Sequence, residues 1–128
     1  MGDVRIGVAV SDPLGISTNG IEIRLSEGAE ADAAYFTAMA ASLGVEKIVV
    51  GLPLNMDGTE GDRALKARAF GELLAERSSL PVDYEDERLT TVEAEELLIE
   101  AGLSREERKK VIDKVAAEII LRSYLNRQ

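Results

Sequence analysis

The pattern of apolar and polar residues predicts a chain that contains both strands and helices. Ile21 and Ile23 alternate with Glu22 and Arg24, as in a strand with one face in water. Residues 29–43 instead repeat apolar side chains at helical spacing. The predicted order is strand, strand, helix, strand, helix, strand, helix, helix, over residues 5–10, 16–25, 29–43, 45–50, 60–77, 81–84, 90–101 and 104–124.

Local sequence signals predict where several helices begin or end, and the order of the elements indicates the fold class. Gly44 predicts a helix stop, and Thr90 with Glu93 and Ser104 with Glu107 have the spacing of a capping box. The two early strands favour a hairpin, and the later strands alternate with helices. The order predicts an α/β fold with a mixed sheet flanked by helices. Because no linker or repeat interrupts it, residues 1–128 are expected to form one domain.

Composition narrows the possible chemistry. The chain has no cysteine and no histidine, which excludes disulfides, a thiol nucleophile, imidazole catalysis and zinc sites built on those residues. Catalysis must therefore use carboxylates, Lys, Tyr, Ser or Thr, or a metal held by oxygen ligands. Such ligands suit Mg²⁺ or Mn²⁺.

The sequence also bears on location and charge. The longest apolar runs, such as residues 48–50, are too short to span a membrane, and no secretory leader is visible. A cytoplasmic protein without a membrane partner is expected. The net charge of −9 argues against non-specific binding to nucleic acid. Most basic residues follow position 60, and eight of them form two clusters, at 63–68 and 105–114.

An acidic triplet follows the predicted strand at residues 81–84. Glu85, Asp86 and Glu87 would repel one another, and a bound cation would relieve that repulsion. In doubly wound sheets, sites form beyond the carboxyl ends of the strands. The alternative is a solvated acidic turn that Arg88 caps.

Asp113 is the second candidate. It lies on the last predicted helix at the border of an apolar stripe, and a carboxylate held against a core needs a partner. That partner is either Lys109 or Lys110, one turn earlier, or a divalent metal shared with a carboxylate at a strand end. Similarly, the cations at 63–68 are either a phosphate-binding row or a solvated face.

Five segments in order resemble one family. The chain is similar to the bacterial YqgF proteins, described both as Holliday junction resolvases and as the nuclease that matures the 5′ end of pre-16S rRNA. The match runs over nearly the whole chain. It rests on residues 5–13, 49–60, 66–70, 86–91 and 111–117.

The resemblance implies an RNase H-like, three-layer fold and a metal-dependent phosphodiesterase with three carboxylates. One lies at the end of the first strand, and the others fall on Glu87 and Asp113. Mg²⁺ or Mn²⁺ held there would activate water and stabilise the leaving oxygen. Because the net charge is negative, contacts with nucleic acid are expected to be local, through the basic residues Arg63, Lys66, Arg68, Arg88, Lys109 and Lys110.

The chain departs from the family at its beginning. The family's first strand ends in Asp-x-Gly, and here Gly2 matches the glycine, Met1 falls on the x, and the aspartate would precede Met1. Asp3 is not given its role. We therefore expect Met1 to be an internal methionine of a longer natural protein. If the protein is truly this short, the first strand and its carboxylate are missing, and we expect weak metal binding and weak or no cleavage.

The sequence leaves three functions open. The first is an endonuclease that trims pre-16S rRNA, and the second is a resolvase of four-way DNA junctions with the same metal site. A dimer with antiparallel sites would favour the resolvase, whereas a monomer would favour the rRNA nuclease. The third is a non-catalytic nucleic-acid-binding or regulatory domain.

Overall fold

A computed structural model describes residues 4–127. The first three residues lie outside this range, so the predicted match of Met1 and Gly2 to the family's first motif is not described, and neither is Asp3. Within residues 4–127 there are four helices, one antiparallel pair of strands and one parallel pair. The predicted α/β class is confirmed, and these elements are compatible with an RNase H-like fold.

The elements follow the predicted order. They are β1 (Arg5–Ser11), β2 (Thr18–Leu25), α1 (Ala29–Leu43), β3 (Ile48–Leu52), α2 (Asp62–Ser78), β4 (Val82–Asp86), α3 (Thr90–Glu100) and α4 (Arg105–Asn126). The chain divides into two compact units, one of residues 4–25 with 87–127 and one of residues 26–86. The single domain stays a prediction.

In the first unit, α4 packs on both strands of the β1–β2 hairpin, and α3 packs on α4. These strands are antiparallel, as predicted, with Arg5 opposite Leu25 and a register shift between Val8 and Ala9. The predicted capping box at the start of α4 is confirmed, because Ser104 and Glu107 exchange side-chain and backbone hydrogen bonds. The most buried apolar side chains of this unit are those of Ala94, Leu98, Ile119 and Tyr124.

The second unit packs α1 and α2 together and α2 onto the parallel strands β3 and β4. The predicted helix stop at Gly44 is confirmed, since this residue caps α1 in a left-handed conformation. Gly71 allows α2 to approach β4 closely, because a Cβ there would overlap the ring and hydroxyl of Tyr84. The buried apolar residues of the second unit are small or aliphatic: Ala33, Ala40, Leu52, Ala64 and Leu74.

Two local predictions around β4 are wrong. The strand was expected to end at residue 84, but it runs to Asp86, because Gly51 and Leu52 of β3 pair with Glu85 and Asp86. Only Glu87 of the acidic triplet therefore follows the strand. The predicted capping box at Thr90 is also absent. Leu89 is the N-cap of α3, and no side chain caps this helix.

Candidate functional site

Asp113 lies on α4 and forms an ion pair with the first residue of β1. Arg5 Nε is 2.7 Å from Asp113 Oδ2, and Arg5 Nη2 donates to the backbone oxygen of Lys109 at 3.3 Å. The guanidinium thus bridges the carboxylate and the helix turn before it. The expected same-helix partners, Lys109 and Lys110, do not make this ion pair. A residue 108 positions away in the sequence makes it instead.

Close packing of backbone against backbone fixes Asp113 on the hairpin. Gly7 of β1 faces the peptide group of Asp113, and a Cβ at Gly7 would overlap its carbonyl carbon and oxygen. Only glycine allows α4 to approach the strand this closely at this point. The position of the Asp113 backbone is therefore set by the absence of a side chain at Gly7.

A second set of contacts holds α4 on β2. The carboxylate of Glu118 accepts a hydrogen bond from the backbone N–H of Gly20 at 2.9 Å. The hydroxyl of Thr18 donates to the backbone oxygen of Glu118 at 3.3 Å, and Arg122 donates to that hydroxyl at 3.4 Å. Together with Gly7, these contacts fix the rotation of α4 about its axis, and hence the face that carries Asp113.

Glu87 begins the second segment of the same unit. It follows β4 directly, and its backbone oxygen accepts a hydrogen bond from the N–H of Thr90 at 3.1 Å. Leu89 completes this turn with a φ of 64°, a backbone conformation uncommon for a residue other than glycine. The turn places Glu87 immediately before α3, which packs on α4. Glu87 and Asp113 thus belong to one compact unit.

The acidic side chains of the described residues offer the right type of ligand for a hard cation, but not a complete cluster. Among residues 4–127, no group of three or more acidic side chains is arranged to hold a metal ion. Asp113 Oδ2 accepts a hydrogen bond from Arg5 Nε. Carboxylate oxygens such as those of Asp113 and Glu87 suit Mg²⁺ or Mn²⁺.

Two of the predicted nucleic-acid contacts line a cleft beside Asp113. The cleft has a volume of about 380 Å³ and is lined by Arg5, Glu106, Lys109 and Lys110. We call it the Arg5 cleft. Of the residues predicted to bind nucleic acid, the structure therefore brings Lys109 and Lys110 together, and it adds Arg5 to them.

The other predicted cations have different surroundings. Arg63 and Lys66 are exposed one turn apart on α2, and Arg88 is exposed in the turn before α3. Arg68 donates to both carboxylate oxygens of Glu60, at 2.7 Å each. This bond holds the pKa of Glu60 below its usual value and raises the pKa of Arg68. The charge of Arg68 is thus largely compensated within its own unit.

Comparison with known proteins assigns the chain to a family. A family model described as "RuvX: Holliday junction resolvase" matches residues 1–127. The chain belongs to the RuvX family. This membership confirms the resemblance to the YqgF proteins that the sequence motifs indicated.

Three RuvX relatives share about half of their residues with the chain, and each is named "Putative pre-16S rRNA nuclease". One from Streptococcus suis is 52% identical over 130 residues, which cover 99% of this chain and 94% of the relative. One from Pelotomaculum thermopropionicum is 51% identical over 129 residues, which cover 100% of this chain and 84% of the relative. One from Halothermothrix orenii is 51% identical over 127 residues, which cover 99% of this chain and 91% of the relative.

Sequence reasoning missed Arg5, which pairs with Asp113 and lines the cleft of this RuvX protein. One signal was available, because Arg5 is the only charged residue in a strand that otherwise reads Ile-Gly-Val-Ala-Val-Ser. A charge at the start of an apolar strand calls for a partner. The partner itself lies 108 positions away, and no local pattern links the two.

Proposed function

We propose that this RuvX protein is a metal-dependent endonuclease that hydrolyses phosphodiester bonds in the 5′ maturation of pre-16S rRNA. One observation carries the proposal: relatives about 50% identical over nearly the whole chain bear the name of that nuclease. The position of Asp113 supports it, because a carboxylate fixed by backbone packing is ready to act without rearrangement. The proposed setting is the cytoplasm, where precursor rRNA is processed. Within residues 4–127, no helix combines the length and apolar character needed to cross a membrane.

In this proposal, Glu87 and Asp113 act as the carboxylate ligands of Mg²⁺ or Mn²⁺. A divalent cation held there supplies an activated water and charge stabilisation for the leaving oxygen. Arg5 holds Asp113 Oδ2, so the rotation of the carboxylate is restricted and Oδ1 is presented in a defined direction. Arg63, Lys66, Arg68 and Arg88, with Lys109 and Lys110, are the proposed cations for the nucleic-acid backbone.

The test is cleavage of an RNA that spans the 5′ end of 16S rRNA, with Mg²⁺ or Mn²⁺ present and with EDTA. We expect metal-dependent cleavage, weak for these 128 residues alone, that Glu87→Gln and Asp113→Asn abolish. Glu96→Gln is the matched control, because it removes an exposed carboxylate from α3 of the same unit and should leave the rate unchanged. Loss of cleavage with retained RNA binding identifies an enzyme. If neither substitution affects any nucleic-acid function, the chain is a binding or regulatory domain instead.

Resolution of four-way DNA junctions is the second candidate, favoured by the description of the matching family model. A resolvase cuts two strands symmetrically, so this function requires a homodimer with antiparallel sites. Junction DNA and precursor RNA should be compared at equal concentration, with the oligomeric state measured by light scattering. Symmetric cuts by a dimer would favour the resolvase, and cleavage of RNA by a monomer would favour the rRNA nuclease.

A further inference from the structure

The Arg5 cleft is basic and lies next to the carboxylate proposed for catalysis. Among residues 4–127, the cleft is lined by the cations Arg5, Lys109 and Lys110 and by the anion Glu106. Because α4 has 3.6 residues per turn, its positions 106, 109 and 110 share one face of the helix. The cleft therefore gathers positive charge from one helix face and from the start of β1.

Arg5 connects this cleft directly to Asp113. Its Nε and Nη2 groups donate to Asp113 and to the Lys109 backbone, but a guanidinium has further N–H groups for another acceptor. Its planar shape suits two oxygen-bearing partners at once. An anion in the cleft could thus bind the same guanidinium that orients Asp113.

The size and exposure of the cleft favour a ligand that is part of a polymer over a small free molecule. All four lining side chains are exposed, so a small neutral ligand would gain little there. A volume of about 380 Å³ accepts a phosphate with its attached sugars. A chain with a net charge of −9 must bind polyanions through such local cation groups.

We propose that the Arg5 cleft binds one backbone phosphodiester group of the nucleic-acid strand, adjacent to the bond presented to Asp113. Arg5 is then both a phosphate ligand and the positioning residue of Asp113, whereas Lys109 and Lys110 bind phosphate alone. The identity of the ligand as a nucleic-acid strand rests on the proposed function. The anion-binding character of the cleft rests on its charges.

The test measures binding of a short fluorescein-labelled single-stranded RNA by anisotropy, in EDTA so that no cleavage occurs. We expect Lys109→Gln and Lys110→Gln each to weaken binding about two- to fivefold and to reduce the slope of log K against log salt by about 0.7. Arg105→Gln is the control. It removes an exposed charge from the same helix outside the cleft and should have a smaller effect on both quantities.

Two further variants separate the cleft from general charge and from misfolding. Glu106→Gln removes a negative charge from the cleft lining and should tighten RNA binding about two- to fivefold, a gain that misfolding cannot produce. Arg5→Lys keeps the charge but loses the planar fork. It should retain most of the RNA affinity while the maximal rate of cleavage falls, because Asp113 loses its orientation. Arg5→Gln should lower both the RNA affinity and the maximal rate of cleavage.

Certain results would overturn the proposal. If the Lys109, Lys110 and Glu106 variants all bind RNA as Arg105→Gln does, the cleft does not contact the strand. If inorganic phosphate binds the native protein in a way that Lys109→Gln and Lys110→Gln weaken, but does not displace the RNA, the cleft is a site for free phosphate. Since binding is measured without metal, a native protein that never cleaves RNA contradicts the proposed function and leaves the result for the cleft intact.

Discussion

At the scale of single residues, the ion pair between Arg5 and Asp113 adds little to stability. The two side chains are 41% and 34% exposed, and ion pairs at such exposure contribute about 0–1 kcal/mol. A pair that stabilises the fold so weakly is better explained by what it does to the carboxylate. It restricts the rotation of Asp113 and orients the oxygen that Arg5 does not contact.

The first prediction follows from this weak contribution. Asp113→Asn keeps the shape of the side chain and should lower the free energy of unfolding by less than about 1 kcal/mol. Cleavage should fall by about two orders of magnitude or more, since a ligand of the proposed metal is lost. Urea denaturation and initial cleavage rates measure the two effects. A large loss of stability with an unchanged rate would show that Asp113 is structural.

The sequence predicted Asp113 as a candidate but not its partner. Spacing along a helix identifies neighbours one turn away, which gave Lys109 and Lys110. The pairing with Arg5 depends on β1 lying against α4, a contact between segments 108 positions apart. Glu87 was likewise identified through the family motif and its place after a strand. Its convergence with Asp113 on one metal stays a prediction.

At the scale of elements, local signals predicted the helices better than the ends of the strands. The predicted span of α1 is correct, because Gly44 stops this helix through its own backbone conformation. In contrast, β3 was predicted at 45–50 but runs over Ile48–Leu52. Its ends are set by pairing with β4, from Ile48 opposite Val82 to Leu52 opposite Asp86, and a partner strand is not visible in a local pattern.

The second prediction concerns the contact between β1 and α4. Gly7→Ala would place a Cβ on the carbonyl of Asp113, so α4 must move away from the strand. We expect a loss of about 1–3 kcal/mol in unfolding free energy, as for other overpacked sites, together with a strong loss of cleavage.

Val8→Ala is the control for Gly7→Ala. It shortens a half-buried side chain of the same strand at a cost of up to about 1.6 kcal/mol, but it leaves the approach of α4 unchanged. Calorimetry and cleavage assays should show two destabilised variants, of which only Gly7→Ala loses activity beyond its loss of folded protein. Equal activity per folded molecule would exclude a positioning role for Gly7.

The third prediction concerns the start of α4. The pKa of Glu107 is lowered, first by its hydrogen bond to the backbone N–H of Ser104. A carboxyl whose pKa is lower in the folded state stabilises the fold above its unfolded pKa, and this contribution is lost as the pH falls through the folded value. Glu107→Gln should therefore lower the melting temperature at neutral pH, and the difference from the native protein should shrink below about pH 4.5. A constant difference across that range would contradict this account.

At the scale of the whole molecule, the order of strands and helices was sufficient for the fold class. The alternation of the later strands with helices predicted the α/β class, and β3 and β4, the strands before and after α2, are parallel. The early hairpin was likewise predicted correctly, because two predicted strands follow each other directly in the sequence. The division of the contacts into two compact units was not predicted, because it depends on which distant segments pack together.

The overall charge leads to the last prediction. With a net charge of −9, long-range attraction to a polyanion is absent, and binding must come from phosphate contacts that release counterions. RNA affinity should therefore fall steeply with added salt. The double variant Arg63→Gln/Lys66→Gln should reduce the slope of log K against log salt by about 1.4, which is about 0.7 for each lost contact. Arg77→Gln on the same helix, whose guanidinium is 2.7 Å from the Glu30 carboxylate, is the control and should leave the slope unchanged. If the double variant has the native slope, α2 does not contact the strand, and the cations of α4 and β1 carry the binding.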